Sequence, residues 1–258
     1  MSSDRFKGKG VLISGGAGGL GSEIARRFVA EGANIGIMDT NEVAIQTLVS
    51  ELSKTGAKVA GAKVDVRDSQ DVTKAVDQLA KNIGTVDILV AAAGGSLGTP
   101  RDLDDISDDD FDLVIDVNVK GTFNCARAVI PHLKKSNGGS IITFSSIGGR
   151  SASPVTGVPY ATAKAAILGL TRRLAKEVGE FNIRVNAIAP GLFLTDRLEG
   201  MFEKMSKSEQ DEVINAIPLK RMPRLQECVE PVLFLASNES SYITGTVLDV
   251  NGGRLMAN

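Results

Sequence analysis

Short apolar runs alternate with longer amphipathic segments along most of the chain. The apolar runs predict buried strands at residues 11–14, 34–38, 58–64, 86–90, 140–144, 183–188 and 246–250. The amphipathic segments predict helices at residues 20–30, 43–54, 69–81, 110–132, 160–178 and 227–236. Apolar strands separated by helices of crossover length favour an α/β fold, a doubly wound parallel sheet covered by helices on both faces.

Two segments break this rhythm, but neither marks a boundary, so residues 1–258 are expected to form one domain. Residues 96–110 are acidic and loop-like, which indicates a solvated surface that ends at a helix N-terminus. Residues 192–221 form a larger irregular insert with apolar residues among charges. This insert predicts one or two short amphipathic helices over the sheet edge, which either cover a substrate or simply pack.

The composition, with 43% hydrophobic residues and a mean hydropathy of +0.05, is that of a soluble globular protein. A formal net charge of −2 gives no overall basic field for nucleic acid or an anionic membrane. The sequence lacks both a run of ~18 apolar residues and the apolar core of a signal peptide. Cys125 and Cys228 lie far apart and outside any CxxC pair, which is typical of a reducing compartment, so a cytoplasmic location is expected. His132, the only histidine, lies at a predicted helix end and indicates a surface or cap role, and no metal site is expected.

A glycine-rich loop follows the first predicted strand and opens the first helix. It reads Ser14-Gly15-Gly16-Ala17-Gly18-Gly19-Leu20-Gly21. Glycine allows a diphosphate to approach main-chain N–H groups closely, and the helix N-terminus adds partial positive charge. The spacing of Gly15, Gly19 and Gly21 is wider than GxGxxG, and no Lys-Ser/Thr follows, which disfavours a P-loop NTPase. The loop therefore predicts a dinucleotide site of the Rossmann type.

Asp39 ends the second predicted strand, where a carboxylate can accept both hydroxyls of an adenosine ribose. The same carboxylate would repel a 2′-phosphate, and no Arg or Lys occurs in the glycine loop or at Thr40 and Asn41. NAD is therefore expected in preference to NADP. The alternative is a helix N-cap, which Asp39 or Thr40 could equally provide. Asp65 and Val66, after the third strand, are candidates to contact adenine.

Tyr160 and Lys164 are four residues apart on a predicted helix, so their side chains lie on one face about one turn apart. A free tyrosine titrates near pH ~10 and is a poor base at neutral pH, but a neighbouring cation favours the phenolate. Such a tyrosine can exchange a proton with an alcohol or a ketone. The spacing alone is weak evidence, because many surface helices carry it by chance.

Together these motifs resemble those of the short-chain dehydrogenase/reductase family, and the match extends over residues 9–253. The family's Thr-Gly-x-x-x-Gly-x-Gly loop is similar to residues 14–21, with Ser14 in place of threonine. Its Asn-Asn/Ala-Ala-Gly motif is similar to residues 91–94. Ala91 stands there in place of the first asparagine, which removes a polar tie between strands.

The family's active-site residues also have counterparts in this chain. The asparagine resembles Asn118, for which a kink in an apolar helix is the other reading. The serine is similar to Ser146, with Ser145 as the alternative, and the Tyr-x-x-x-Lys motif is similar to Tyr160 and Lys164. The remaining matches are Pro190-Gly191 with Thr195, and the C-terminal segment 242–253.

The resemblance implies a role for each of these residues. Ser146 would hydrogen-bond the substrate oxygen, and Tyr160 would exchange the proton of the alcohol while hydride moves to or from the nicotinamide. Lys164 would lower the pKa of Tyr160 and hold the ribose hydroxyls. Asn118 would anchor a water that passes the proton to solvent through Lys164.

The same reasoning gives a set of expected contacts. Contacts with the dinucleotide are expected from Ser14, Gly15, Gly18, Gly19, Leu20, Gly21, Asp39, Asp65, Val66, Ala92, Ala93, Gly94, Tyr160, Lys164, Pro190, Gly191, Phe193 and Thr195. Contacts with the substrate are expected from Gly95, Ser96, Ser146, Arg150, Tyr160 and Leu192. Arg150 either meets an anionic group of the substrate or pairs with a structural acid, as surface arginines commonly do.

The leading functional expectation is an NAD-dependent dehydrogenase of a secondary alcohol, such as a sugar, polyol, cyclic alcohol or steroid-like compound. The alternative within the class is a 3-oxoacyl-thioester reductase, which would prefer NADPH and a basic patch for an acyl carrier. Asp39 and the acidic stretch at residues 102–110 count against it. From another class, the chain could be a dinucleotide-sensing or scaffold protein. The resemblance also implies a homotetramer.

Overall fold

A seven-stranded sheet organises the computed structural model, which describes residues 4–152, 156–193, 200 and 202–256. The strands are β1 (Gly10–Ser14), β2 (Asn34–Asp39), β3 (Val59–Lys63), β4 (Ile88–Ala91), β5 (Gly139–Phe144), β6 (Ile183–Pro190) and β7 (Val247–Val250). All of the strand pairs are parallel, and the order is β3-β2-β1-β4-β5-β6-β7. The predicted doubly wound parallel sheet is therefore confirmed.

The helices lie on both faces of this sheet. They are α1 (Gly19–Ala30), α2 (Glu42–Ser53), α3 (Ser69–Ile83), α4 (Asp108–Ile115), α5 (Gly121–Lys135), α6 (Val158–Val178), α7 (Lys207–Asn215) and α8 (Gln226–Ala236). One apolar core fills the face covered by α1, α2 and α8, and a second fills the face covered by α3, α5 and α6. Because both faces of the central strands are buried, those strands are apolar at successive positions.

The strand order reverses between β1 and β4, which are neighbours in the sheet although two strands separate them in sequence. At this point the loops that leave the two strands turn to opposite sides and open a crevice beyond the carboxyl ends. Ser14 and Ala91 are paired at the last position of these strands. The sheet thus places the glycine loop and residues 92–94 on either side of one crevice.

The predicted helical segment at residues 110–132 is confirmed, but it is not one regular α-helix. It is divided into α4, a π-helical segment (Asp116–Lys120) and α5. The amide of Gly121 donates to the carbonyl of Asp116, five residues earlier, which makes this turn wider than an α-helical one. The Asn118 side chain donates from Nδ2 to the carbonyl of Val114. A side chain that occupies a helical carbonyl in this way widens the turn locally.

One further expectation differs from the structure, and the short helix expected in the insert is present. The edge strand β3 is partly exposed rather than apolar throughout, because only one neighbouring strand and fewer helices cover it. The insert at residues 192–221 contains the helix α7, which buries none of its residues fully, while Ile217 after it is 4% exposed. Part of this insert lies outside the described residues.

Candidate active site

A cleft of about 620 Å³ lies beyond the carboxyl ends of the strands, across the point where the strand order reverses. Most of the residues expected at the site line it. They are Gly15, Gly18, Gly19, Leu20, Gly21, Asp39, Asp65, Val66, Ala92, Ala93, Gly94, Gly95, Ser146, Tyr160, Lys164, Pro190, Gly191 and Phe193. Residues from six strand ends and the loops that follow them, together with two residues of α6, therefore converge on one cavity.

The glycine loop forms a close-packed cradle at one end of the cleft. Gly15 has a φ of +64°, and a Cβ there would lie 2.8 Å from the Cα of Ala93. A Cβ on Gly21 would lie 2.1 Å from the carbonyl oxygen of Gly15. Helix α1 begins at this loop with Gly18 as its N-cap and no side-chain cap, so no capping side chain competes with an anion for its first-turn N–H groups. The loop fits the diphosphate of a dinucleotide.

Asp39 lies beside this loop at the end of β2. Its two carboxylate oxygens accept from the backbone amides of Ala17 and Asn41, each at 3.1 Å. The N-cap of α2 is Asn41, whose side chain accepts from the amide of Ala44. The alternative role of Asp39 or Thr40 as the N-cap is therefore wrong, and Asp39 lines the cleft with its carboxylate held in place.

Asp65 is bound by a residue that the sequence argument missed. Arg67 donates from Nη2 and Nε to Asp65 Oδ2, at 2.6 and 2.9 Å, and it also lines the cleft. This side-chain hydrogen bond is the main cause that lowers the pKa of Asp65. An arginine two residues after an acid, at the end of a strand, was the signal that could have indicated the pair.

Tyr160 and Lys164 lie in the first turns of α6, where Pro159 at the start of the helix fixes the entry of the chain. Lys164 is 5% exposed, and its Nζ donates to the carbonyl of Phe144 at 2.9 Å. The same Nζ lies 5.6 Å from the centroid of the Tyr160 ring. Burial lowers the pKa of Lys164 to about 8.

The pKa of Tyr160 differs in direction from the sequence expectation. Burial raises it, and the opposing influence is a hydrogen bond with the Ser146 side chain rather than the Lys164 cation. The phenol therefore holds its proton at neutral pH in the structure. A protonated phenol next to a serine hydroxyl can act as a hydrogen-bond donor and general acid towards a carbonyl oxygen.

The two consecutive serines after β5 have different partners. Ser146 caps the short 3₁₀ turn after it, where its Oγ accepts from the Gly148 amide at 3.1 Å. Its hydroxyl is also the group that counters the rise in the pKa of Tyr160. Ser145 Oγ donates to the backbone carbonyl of Lys164 at 2.7 Å. The structure thus brings Ser146, and not the alternative Ser145, to the phenol.

Asn118 lies in the π segment, and its side chain is fully engaged. Oδ1 accepts from the Gly95 amide at 3.0 Å, and Nδ2 donates to the carbonyls of Gly95 and Val114, both at 2.9 Å. A Cβ on Gly94 would lie 2.4 Å from Asn118 Oδ1 and 3.4 Å from Lys164 Nζ. Asn118 therefore both stabilises the helix irregularity and holds the loop after β4 against Lys164.

Several expected site residues do not line the cleft. Ser14 Oγ accepts from the amide of Ala93 at 3.3 Å and so supports the loop from below. Arg150 Nη1 donates to Asp249 Oδ2 at 2.5 Å, so the structure gives it a structural acid as partner. Leu192 lines a neighbouring cavity of about 250 Å³. Asn118 and Ser96 are also absent from the cleft lining, and Thr195 lies outside the described residues.

The remaining sequence features lie away from the cleft. His132 Nε2 and Asp77 Oδ1 are 2.8 Å apart, joining α5 to α3 at the surface. Cys125 and Cys228 are buried free thiols. Within the described part of the chain, no group of three or more His, Cys, Asp or Glu residues is arranged to hold a metal ion. No helix in that part is long and apolar enough to span a membrane.

Comparisons with known proteins agree with this geometry. A family model described as "Enoyl-(Acyl carrier protein) reductase" matches residues 15–254. The 3-oxoacyl-(acyl-carrier-protein) reductase of Chlamydia muridarum is 41% identical over 248 residues, which cover 95% of this chain and 96% of the relative. The chain belongs to the short-chain dehydrogenase/reductase family, and it is an oxidoreductase of that family.

Solved structures extend the comparison. A 3-oxoacyl-(acyl-carrier protein) reductase with bound NAD from Brucella melitensis has a TM-score of 0.88 at 34% identity, covering 99% of this chain and 94% of its own. An NAD⁺-bound xylitol dehydrogenase also has a TM-score of 0.88, at 30% identity, covering 96% of this chain and 100% of its own. The shared fold extends over the cleft, and the substrates of these two neighbours differ.

Proposed function

We propose that the protein interconverts a ketone and a secondary alcohol with a nicotinamide dinucleotide, and that the ketone is the 3-oxo group of an acyl thioester. The observation that carries the reaction is the meeting of Ser146, Tyr160 and Lys164 at a cleft whose glycine loop fits a diphosphate. The choice of substrate is supported by the relatives named as 3-oxoacyl reductases. The sequence alone favours a sugar, a polyol or another secondary alcohol, with the 3-oxoacyl thioester as the alternative.

The nicotinamide dinucleotide, when bound, supplies or accepts the hydride. Ser146 donates a hydrogen bond to the substrate oxygen and lies beside the Tyr160 phenol. Because burial raises its pKa, Tyr160 holds a proton on Oη that it can give to that oxygen as the ketone is reduced. Lys164, next to the phenol, assists its return to the protonated state, and Asn118 in the π segment is the proposed anchor of the water beyond it. The Asn118 carbonyl also accepts from Thr122 Oγ1 at 2.6 Å.

The proposed cofactor is NAD rather than NADP. Asp39 supports this choice, because its carboxylate is fixed at the ribose end of the cleft by two backbone amides. A fixed negative charge there disfavours a 2′-phosphate. The residues expected at the glycine loop, at Asp65 and at residues 92–94 would hold the remainder of the dinucleotide.

A sugar or polyol remains the second candidate substrate. Two observations favour it: the xylitol dehydrogenase neighbour, and the acidic stretch at residues 102–110, most of which is exposed. Negative charge on the protein surface repels an acidic carrier and is neutral towards a polyol. The two substrate classes are represented by different test compounds, so one assay that includes both sets of compounds separates them.

The experiment measures NADH and NADPH consumption with a short 3-oxoacyl thioester, a ketose panel and a trans-enoyl thioester. We expect the 3-oxoacyl thioester and NADH to give the highest kcat/KM. Tyr160→Phe should lower kcat by about a hundred- to ten-thousand-fold while NADH binding survives, because general acid catalysis contributes about that much. Preference for a ketose would support the second candidate, and no turnover of any compound would support a dinucleotide sensor.

The proposed assembly is a homotetramer. Phe111 on α4 and Phe123 on α5 are 36% and 39% exposed, so both helices present apolar surface to solvent. A second copy of the chain would cover such a surface. Light scattering coupled to size exclusion measures the assembly directly, and a monomeric mass would overturn this proposal.

A further inference from the structure

The end of β5 is joined to α6 by two hydrogen bonds at one residue, Lys164. Ser145, which is 3% exposed, donates from Oγ to the backbone carbonyl of Lys164 at 2.7 Å. In the opposite direction, Lys164 Nζ donates to the carbonyl of Phe144 at 2.9 Å. Both the main chain and the side chain of Lys164 are thus bonded to adjacent residues of one strand end.

The loop after β5 also packs against the backbone carbonyl of Lys164. A Cβ on Gly149 would lie 2.5 Å from the carbonyl carbon of Lys164 and 2.7 Å from its oxygen. The loop and the helix are therefore in direct backbone contact at this position. The Ser145 hydroxyl is the directional bond within this contact, and it fixes both the height and the rotation of α6 at Lys164.

The position of α6 at Lys164 determines the position of the phenol one turn earlier. Tyr160 and Lys164 belong to one regular helix, so they move together when that helix shifts or rotates. Ser146, the partner of the phenol, directly follows Ser145 in the chain. We propose that Ser145 is a positioning residue, which holds the first turns of α6 in register with β5 and so keeps the Tyr160 phenol within hydrogen-bond reach of Ser146.

The chain offers a matched control on the same interface. The hydroxyls of Thr143 on β5 and Thr171 on α6 are 2.7 Å apart and fully buried, and Thr171 also donates to the carbonyl of Ile167. Neither threonine lines the cleft. Thr171→Val removes a buried hydroxyl between the same strand and helix, nearly two turns further from the phenol than Lys164 is.

The first test follows the phenol directly and needs no substrate. The chain has two tyrosines and no tryptophan, and the other tyrosine, Tyr242, is fully exposed. In a Tyr242→Phe background, ultraviolet absorbance of tyrosinate therefore reports Tyr160 alone. Ser145→Ala should raise the titration midpoint by roughly half to one pH unit, because loss of register removes the hydrogen bond that lowers the pKa. Ser145→Thr, which keeps the hydroxyl, and Thr171→Val should titrate like the parent.

The second test rests on the proposed function. Ser145→Ala should lower kcat by about ten- to a hundred-fold, as expected when a reacting group is misplaced by up to an ångström. The dissociation constant of NADH should stay within about two-fold, because most of the expected dinucleotide contacts come from the strand ends and the loops after them rather than from α6. Ser145→Thr should restore most of kcat.

Parental titration in Ser145→Ala would overturn the inference, as would a Thr171→Val variant that shows the same shift and the same loss of kcat. The titration decides the question even when no tested compound is turned over, so failure of the proposed function is recognised separately. Should Ser145→Ala fail to fold, Ser145→Cys replaces it. The thiol has a similar size and is a weak donor, so the same shift is expected.

Discussion

Lys164 combines a buried charge with a position at the candidate site. Its pKa is lowered by burial to about 8, against an ordinary value of 10.5. Below about pH 8 Lys164 is protonated in both the folded and the unfolded chain. The cost of burying its charge then lowers the free energy of unfolding in full. Between about pH 8 and 10.5 the unfolded chain binds more protons, so the stability of the fold should rise with pH across this range.

The first prediction is that Lys164→Met stabilises the fold while it abolishes turnover. The difference in pKa corresponds to about 3 kcal/mol, of which the lost bond to the Phe144 carbonyl offsets about 1 kcal/mol. Urea unfolding at pH 7 should show a gain of about 1 to 3 kcal/mol, and the rise in stability towards pH 10 should disappear. Lys207→Met on the exposed face of α7 is the control and should change neither quantity. A variant less stable than the parent at pH 7 would show that the bond outweighs the burial.

Asp39 carries the second prediction, which concerns cofactor choice. Asp39→Asn keeps a side-chain oxygen for one of the backbone amides, but it removes the negative charge. The ratio of kcat/KM for NADH over NADPH should therefore fall by at least about ten-fold, which corresponds to 1.4 kcal/mol of lost repulsion. Glu42→Gln is the control, since this exposed acid near the start of α2 pairs with Lys63 instead. An unchanged ratio would assign the discrimination to a group other than Asp39.

At the scale of elements, most of the fold could be predicted because buried parallel strands are apolar on both faces. β1 and β4 show this directly, and their order and the reversal between them follow from crossover rules. The glycine loop was recognisable because only glycine can form its contacts. The π segment was missed, because its pattern of apolar residues is still helical and the distortion arises from one side chain, that of Asn118.

Contacts between distant residues were the part of the site that the sequence could not supply. The separate partners of Ser145 and Ser146 depend on the path of a strand end that a sequence pattern does not resolve. The direction of the pKa change of Tyr160 depends on burial, which no motif reports. The partner of Arg150, ninety-nine residues away, is likewise fixed by the sheet rather than by local sequence.

The loop after β4 gives the third prediction, at the scale of an element. Gly94 and Gly95 have similar φ angles of +149° and +143°, so an alanine is strained at both. A Cβ on Gly94 would lie 2.4 Å from Asn118 Oδ1, whereas on Gly95 the nearest heavy atom is 3.9 Å away. Gly94→Ala should therefore displace Asn118 and lower the free energy of unfolding by about 2 kcal/mol more than Gly95→Ala does.

Cofactor affinity should separate the same two variants. Asn118 holds the loop that lines the cleft, so its displacement in Gly94→Ala should weaken NADH binding by about ten-fold or more. Calorimetry or fluorescence of bound NADH measures this without a substrate. Equal effects of the two alanines would show that backbone strain, rather than the contact with Asn118, determines the role of Gly94.

At the scale of the whole molecule, the residues before β1 are fastened to the body by a buried acid. Glu31, after α1, has a fully buried side chain that accepts from Arg5 Nη2 at 2.6 Å and pairs with Arg27 Nη2 at 2.7 Å. Arg27 also bonds Glu230 on α8, and Arg5 reaches Glu239 beyond that helix. One cluster therefore joins the first described residues, the end of α1 and the region around α8, on the side of the sheet opposite α6.

The fourth prediction is that Glu31→Gln lowers the free energy of unfolding by about 3 kcal/mol, because it leaves two arginines facing a neutral, partly donating group in a buried place. Glu51→Gln is the matched control. Glu51 accepts two bonds from Arg26 at 2.7 and 3.0 Å, but this pair is exposed, so its loss should amount to less than about 1 kcal/mol. Urea unfolding at pH 7 measures both variants. The cluster lies away from the cleft, so NADH binding by folded Glu31→Gln should match the parent. Losses of equal size would mean that solvent reaches Glu31 and that the amino-terminal segment is held by its apolar contacts alone, chiefly the edge-to-face packing of Phe6 on Phe28.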